Sequence, residues 1–321
     1  MTFPVFDLHC DTSYARLGRS FDRNDSLVEN DLHIDLTRAK KFPAYAQCFG
    51  CFTSPLDVLP DWLTPERLFA MEYGGILEEI SLCDQKIRLA TTGQEVRDNA
   101  DLGLASAVLT IEGTAGFGYD PDMLESLYHV GFRITTLGWN EQNCLCGSHA
   151  TGGGLTDRGI EYVRRAQCLG MLIDVSHISD EAFYDILDIT DGPLIATHSN
   201  CRALQPISRN LTEEMFCAIC ETGGLAGVNL YVPFLGDDAD VDRVCDHIFH
   251  YLSLDPSGKH IALGGDLDGC DQLPAGIAGI QDYDKISQRL LDRGLEAETV
   301  MDIFWNNGLG VMDHAICQQQ K

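Results

Sequence analysis

Short apolar runs alternate with stretches of helical spacing along this chain, and that alternation sets the expected architecture. Residues 3–9 (Phe-Pro-Val-Phe-Asp-Leu-His) read as a first strand, with Phe3, Val5, Asp7, His9 and Asp11 on one face at period two. Residues 44–52 form the second apolar run. A long helix is expected over 64–89, with Pro65 at its first position and Leu68, Met71, Ile76, Ile80 and Ile87 on its apolar side. Residues 104–112 make a buried third strand ending in Glu112, and after a helix over 121–130 the fourth strand covers 132–137. Residues 138–154 read as a Gly-, Asn- and Cys-rich loop, whose Gly152-Gly153-Gly154 precedes no phosphate-loop lysine. Thr156 caps a helix reaching Gly170. Strands five and six, 171–177 and 193–198, each end in a histidine and flank a helix that starts at Ser179-Asp180-Glu181. A helix from Thr212, a strand over 224–230, a helix over 242–252 and an eighth strand over 261–266 follow. Helices over 283–293 and 296–317 finish the pattern. Eight strands alternating with helices, without a linker or a shift in composition, predict a single (β/α)8 TIM barrel across residues 1–321.

Composition narrows the function classes. The chain is 45% hydrophobic and long enough for one full α/β barrel. A formal net charge of −27 argues against a nucleic-acid partner and against an anionic membrane surface, and is read as serving solubility. No apolar run reaches the roughly 18 residues of a membrane span. The opening Met1-Thr2-Phe3-Pro4-Val5 lacks the basic and long apolar regions of an export signal. With 13 cysteines and no export signal, reduced thiols and a cytoplasmic location are expected. Two Cys-x-x-Cys spacings occur, Cys48 to Cys51 and Cys217 to Cys220. Neither has a third and fourth ligand nearby in sequence, so no zinc ribbon is expected.

The chemistry sits at the strand ends. A barrel brings to one mouth His9 and Asp11 after the first strand, Glu112 after the third, His177 after the fifth, His198 after the sixth and Asp266 after the eighth. Three imidazoles and three carboxylates exceed the four ligands of one tetrahedral zinc. They suit two metals about 3.5–4 Å apart that share a carboxylate and a hydroxide. Nitrogen and oxygen donors without thiolate favour zinc, with manganese, cobalt or iron as other occupants. Cys10 points to the opposite face from His9 and Asp11. Asp174, Ser176 and His177 do not make a serine triad, because Asp174 and His177 fall on opposite faces of their strand. Asp268 is expected to cap the turn that follows it. Tyr14 and Tyr231 are candidates for lining the pocket, and the remaining histidines (His33, His129, His149, His247, His250, His260 and His314) receive no role.

The motifs Asp7-x-His9-x-Asp11, Ile111-Glu112-Gly113, Gly154-Leu155-Thr156, Ile173-Asp174-Val175-Ser176-His177, His198-Ser199-Asn200, Ser208-Arg209-Asn210 and Gly265-Asp266-Leu267-Asp268-Gly269 occur in this order. Together, over nearly the whole length, they resemble the membrane (renal) dipeptidase family, zinc peptidases of the metal-dependent amidohydrolase barrels. The resemblance implies that His9 and Asp11 hold one zinc and His177 and His198 a second, with Glu112 bridging both. It implies that Asp266 passes a proton to the leaving amine, and that Arg209 pairs with the terminal carboxylate of the substrate. Both roles suit the residue types: a guanidinium fork matches a carboxylate, and a free carboxylate beside the metals can carry a proton. There are departures. The family commonly has a substrate-contacting histidine in a Leu-Thr-His after strand four, where this chain has Leu137-Gly138-Trp139. Trp139 is therefore expected to wall the pocket or to donate its indole N–H. Residues 306–311 match the family's Gly-Asn-x-x-Arg-Val only in part. Without the secretory signal and lipid-anchor tail of the animal enzymes, the chain is similar to soluble bacterial-type members, for which a homodimer is expected.

The expected function is hydrolysis of small dipeptides, including ones with a C-terminal D-residue, on two zinc ions. Removal of an N-acyl group from a D-amino acid on the same metals is the alternative within enzymes, since Arg209 suits either free carboxylate. A metal-bearing, non-catalytic binding protein is the alternative outside them. It would be expected to have lost a ligand or the proton carrier, and all are present here.

Overall fold

The computed structural model describes residues 2–18, 20–55 and 59–317. Eight parallel strands close on themselves: β1 (Val5–Cys10), β2 (Tyr45–Phe52), β3 (Ala105–Glu112), β4 (Phe132–Thr136), β5 (Leu172–Asp174), β6 (Leu194–Ala196), β7 (Leu225–Val228) and β8 (Ile261–Leu263). Each pairs with its neighbours in sequence, and β8 returns to β1 with Leu263 opposite Asp7. The expected TIM barrel is the observed fold. Among the described residues no helix is long and apolar enough to cross a membrane.

Phe6, Leu8, Ala46, Cys48, Val108, Ile134, Leu172, Ile195, Leu225 and Ala262 form one buried cluster inside the barrel. Leu309, Val311 and Met312 of the C-terminal helix Asn307–Cys317 join that cluster and close the end where the strands begin. Asn307, from the partly matching C-terminal motif, donates to the carbonyls of Gly258 and Ile261 there. Above the apolar layer lies a polar one. The hydroxyls of Thr136 and Thr197 donate to Asp174 Oδ2 at 2.9 and 2.6 Å. The ionisable residues stand above this layer, at the mouth.

Two expectations are corrected. The helix anticipated over 64–89 is Pro65–Leu82, capped by the Thr64 hydroxyl, and Ile87–Leu89 is a short ninth strand beside the start of β3. Ile87 lies two helical turns after Ile80, and neither Gly nor Pro marks the stop, so periodicity ran through it. The helix Gly93–Asp101 went unread, being mostly polar. The loop over 138–154 also contains a hairpin, Cys146–Ser148 with Gly152–Leu155.

The second correction concerns β1. Its register against β2 shifts between Asp7 and Cys10, the mark of a β-bulge. Phe6 and Leu8 face the barrel interior, so strict alternation would turn His9 outward. The bulge turns it back to the mouth, a common use of bulges beside active sites. Asp7, expected on the face of His9 and Asp11, instead lies between barrel and helices. It accepts hydrogen bonds from the backbone N–H of His9 (2.9 Å) and of Gly265 (3.1 Å) and from the Tyr283 hydroxyl. That carboxylate ties the ends of β1 and β8 together beneath His9 and Asp266. Asp7→Ala leaves three buried donors unsatisfied at about 1–3 kcal/mol each. We expect a loss of roughly 3 kcal/mol or more, measured by urea unfolding.

Candidate metal centre

The end of each barrel strand delivers one part of the site. His9 leaves the β1 bulge, Asp11 follows one residue beyond the strand, and Glu112 is the last residue of β3. His177 and Asp266 follow β5 and β8 by three residues, and both adopt positive φ, +69° and +55°. Such backbone is strained for residues with a Cβ and recurs where side chains are held for function. Gly50 in β2 stands behind His9 and Asp11; a Cβ there would come within 3.1 Å of the His9 ring and 3.2 Å of Asp11 Oδ1.

Glu112 lies at the centre. Its Oε2 is 3.1 Å from His9 Nε2, while its Oε1 is 2.9 Å from His177 Nε2 and 3.7 Å from His198 Nε2. On the His9 side, Asp11 Oδ1 is 3.6 Å and Asp266 Oδ1 3.9 Å from the same Nε2. All six side chains expected at the mouth therefore converge: five of them form two overlapping groups of ligand geometry that share His9 (His9, Glu112 and His198, and His9, Asp11 and Asp266), and His177 joins through Glu112 Oε1. His9 Nε2, Asp11 Oδ1 and Glu112 Oε2 are buried without a hydrogen-bond partner. Buried polar atoms are rarely left so, unless an ion or water is their partner.

Hydrogen bonds behind the imidazoles set the tautomers. His198 Nδ1 lies 2.7 Å from Thr197 Oγ1, whose own proton goes to Asp174. His177 Nδ1 lies 2.9 Å from Asn140 Oδ1, an acceptor. Both Nδ1 atoms therefore carry the proton, and two Nε2 lone pairs face each other at 2.9 Å. Two lone pairs so placed repel unless a cation lies between them, so this donor set fits a metal. Burial holds His177 and His198 well below the usual histidine range, in the neutral form that binds metal. Burial also acts against protonated His9, but the Glu112 carboxylate, with Asp11, outweighs it and raises that imidazole well above its usual range. Burial raises the carboxyl groups of Asp11 and Asp266, and nearby carboxylates raise them further: Glu112 for Asp11, Asp11 for Asp266.

A model of the membrane dipeptidase family, peptidase family M19, matches residues 1–321. The chain belongs to that family. A metallopeptidase from Rhodobacter sphaeroides, solved with a phosphinate mimic of the dipeptide L-Ala-D-Ala, superposes with a TM-score of 0.87 at 25% identity, covering 98% of this chain and 100% of that one. The M19 metallopeptidase dipeptidase AC gives a TM-score of 0.84 at 26% identity, covering 98% and 99%. An uncharacterized dipeptidase of Schizosaccharomyces pombe is 32% identical over 213 residues, 64% of this chain and 52% of that protein, so the chain spans about half the length of that relative. By its membership the chain is placed among the metallodipeptidases as a family.

Other residues of this family member fall around the same mouth. A cavity of about 430 Å³ opens over the cluster, walled by Tyr14, Phe52, Trp139, Tyr231 and Phe234, so both tyrosines reach the pocket. Trp139 meets Phe52 edge-on at 5.0 Å and lies 6.0 Å from the His177 ring, in the position of a wall. Arg209 is buried beside Phe234. One terminal nitrogen donates to Ser199 Oγ at 2.8 Å, while Nε and the other terminal nitrogen are buried without a partner.

Asp268 departs from expectation: it accepts from Thr12 Oγ1 and from the His33 backbone, both at 2.6 Å, and so fastens the first rim loops instead of capping its own turn. His33 and His149, given no role in the sequence, take part in the rim. His33 Nδ1 accepts from the Asp268 backbone at 2.9 Å. His149 Nε2 lies 2.8 Å from Asn140 Oδ1, and burial followed by Arg209 lowers its pKa to about 4. Sequence reasoning also passed over Asn140, Thr197 and Asn229, whose signal is proximity to the ligands: each lies one residue from, or shares a bond with, a strand-end residue.

Proposed function

We propose that this chain is a binuclear zinc dipeptidase that hydrolyses small dipeptides, including ones ending in a D-residue. The two-sided Glu112 carries the reading, because each of its oxygens faces a separate set of nitrogen and oxygen donors. His9 and Asp11 would hold one ion, His177 and His198 the other, and Glu112 both. Bound zinc supplies Lewis-acid polarisation of the scissile carbonyl and activates water at neutral pH.

The chain's own residues do the rest. Asp266 Oδ2 is held by Asn229 Nδ2 at 3.1 Å, which leaves Oδ1 facing the cluster. In that place it takes a proton from the attacking water and returns it to the leaving amine nitrogen. Arg209, with two unpartnered donors, binds the free terminal carboxylate bidentately. Trp139 and Phe52 shield the reacting bond from bulk water. The cavity volume suits a dipeptide. Tolerance of a D-residue is supported by the L-Ala-D-Ala mimic in the Rhodobacter sphaeroides relative. The reading includes a cytoplasmic location, supported by free thiols at the twelve cysteines from Cys10 to Cys270, and a homodimer.

Zinc-replete protein is tested against L,L and L,D dipeptides alongside N-acyl-D-amino acids. Release from L,D dipeptides is expected. Turnover of only the acylated compounds would replace the reading with N-acyl-D-amino-acid hydrolysis, and turnover of neither would leave a binding protein. Arg209→Lys removes the planar fork, worth roughly 1.5–3 kcal/mol for charged hydrogen bonds. We expect KM to rise about 10- to 100-fold for dipeptides, with little change for dipeptide amides, in steady-state assays of both.

A further inference from the structure

The pair Cys217-x-x-Cys220 has no further ligand near it in sequence, but the folded chain brings two. At the end of the barrel where strands begin, Cys220 in the helix Glu213–Glu221 meets Asp255 and His260. Asp255 follows the helix Val241–Leu254, and His260 immediately precedes β8. A sulfur, a carboxylate oxygen and a ring nitrogen from the three residues lie within 4.8 Å of one another. None of them belongs to the mouth, which lies at the other end of the strands.

Two of the three are oriented by the surrounding backbone. His260 Nδ1 is 2.9 Å from the Gly224 carbonyl oxygen, which only accepts, so Nδ1 carries the proton and Nε2 keeps its lone pair. A ring N–H donated to a backbone carbonyl is the usual support of a metal-binding imidazole. Asp255 Oδ1 accepts from the backbone and hydroxyl of Ser257 at 3.1 and 2.6 Å, while Oδ2 accepts only a long 3.3 Å bond from the His260 backbone. One carboxylate oxygen is thus committed to the loop and the other is nearly free. Cys217, exposed and three residues earlier, shares that side of the helix.

We propose that Cys220, Asp255 and His260, with Cys217 at the fourth corner, form a structural zinc site at the base of the barrel. Sulfur, imidazole and carboxylate together select a thiophilic ion over magnesium or calcium. Zinc with bonds of about 2.0–2.3 Å spaces its ligands roughly 3.3–3.8 Å apart, so shifts of about an ångström bring Cys220, Asp255 and His260 to that spacing, while exposed Cys217 must turn its side chain to complete the site. Each coordinating thiol gives its proton to solvent as it binds. The ion would fasten the end of one helix to the connection entering β8, and this face of a TIM barrel serves stability, not catalysis.

Metal-stripped protein is titrated with Co²⁺. The candidate ligand groups at the mouth contain no cysteine, so a sulfur-to-cobalt charge-transfer absorption that depends on Cys220 reports on the base. We expect the band in the native chain and its loss in Cys220→Ser and His260→Ala. A second measurement needs no variant: Zn²⁺ should slow alkylation of Cys217 and Cys220 at least tenfold, read by peptide mass spectrometry, while exposed Cys144 and Cys168 react as before. Absence of the band, its persistence in Cys220→Ser, or alkylation of Cys220 indifferent to zinc would overturn the site.

Discussion

Glu112→Gln is expected to strip the mouth of metal and to reduce dipeptide hydrolysis by more than about 10⁴-fold, the upper range for removing a group on which several catalytic parts depend. The amide has nearly the shape of the carboxylate but only one acceptor oxygen and no charge. In the native chain the two oxygens stand 3.1 Å from His9 and 2.9 Å from His177, so each side of the cluster loses part of its donor set. A buried Gln N–H₂ would also point at one of these nitrogens. Metal analysis after dialysis, run beside the activity assay, checks both halves of the expectation. A variant that keeps two ions per chain would show that Glu112 does not hold them.

Asp266→Asn should behave differently. It lies at the edge of the His9 side, 3.9 Å from that ring, and its other oxygen is already engaged by Asn229. We expect both metals to remain and turnover to fall by roughly 10²–10⁴-fold, the usual contribution of a positioned proton carrier. The KM for dipeptides should change little, because in the proposed function binding is assigned to Arg209 and the pocket walls. Steady-state kinetics with metal analysis separates the two variants. Full activity in Asp266→Asn would remove this residue from the proton path.

The sequence showed the barrel because its eight buried strands are near-continuous apolar runs, the signature of parallel strands covered on both faces. It showed the six mouth residues because strand ends in such a fold share one rim. What it could not show was parity. Period two placed Asp7 beside His9, and a single extra residue in β1 separates them. Nor could it show the groups behind the mouth histidines. Asn140 reaches His177 across 37 residues, and Asp174 collects hydroxyls from two other strands. Such bonds depend on how strands are staggered, which leaves no local mark. The stop of the helix at Leu82 was hidden for the opposite reason, since the local mark of helical spacing continued past the true end.

The irregularity in β1 also limits how this protein can change. Every barrel strand is held on both edges, so none can slide to absorb an inserted or deleted residue. Between Asp7 and Asp11 the chain acts as a ruler. Without the bulge, strict alternation from Phe6 and Leu8 would turn the His9 imidazole toward the helices, on the side of Asp7, and take it out of the mouth in a single step. Rim loops can lengthen, shorten and carry new side chains over evolutionary time without that penalty. Substrate range can therefore drift while this five-residue spacing stays invariant, and a designer who re-engineers the pocket should vary the loops and leave the length of this segment alone.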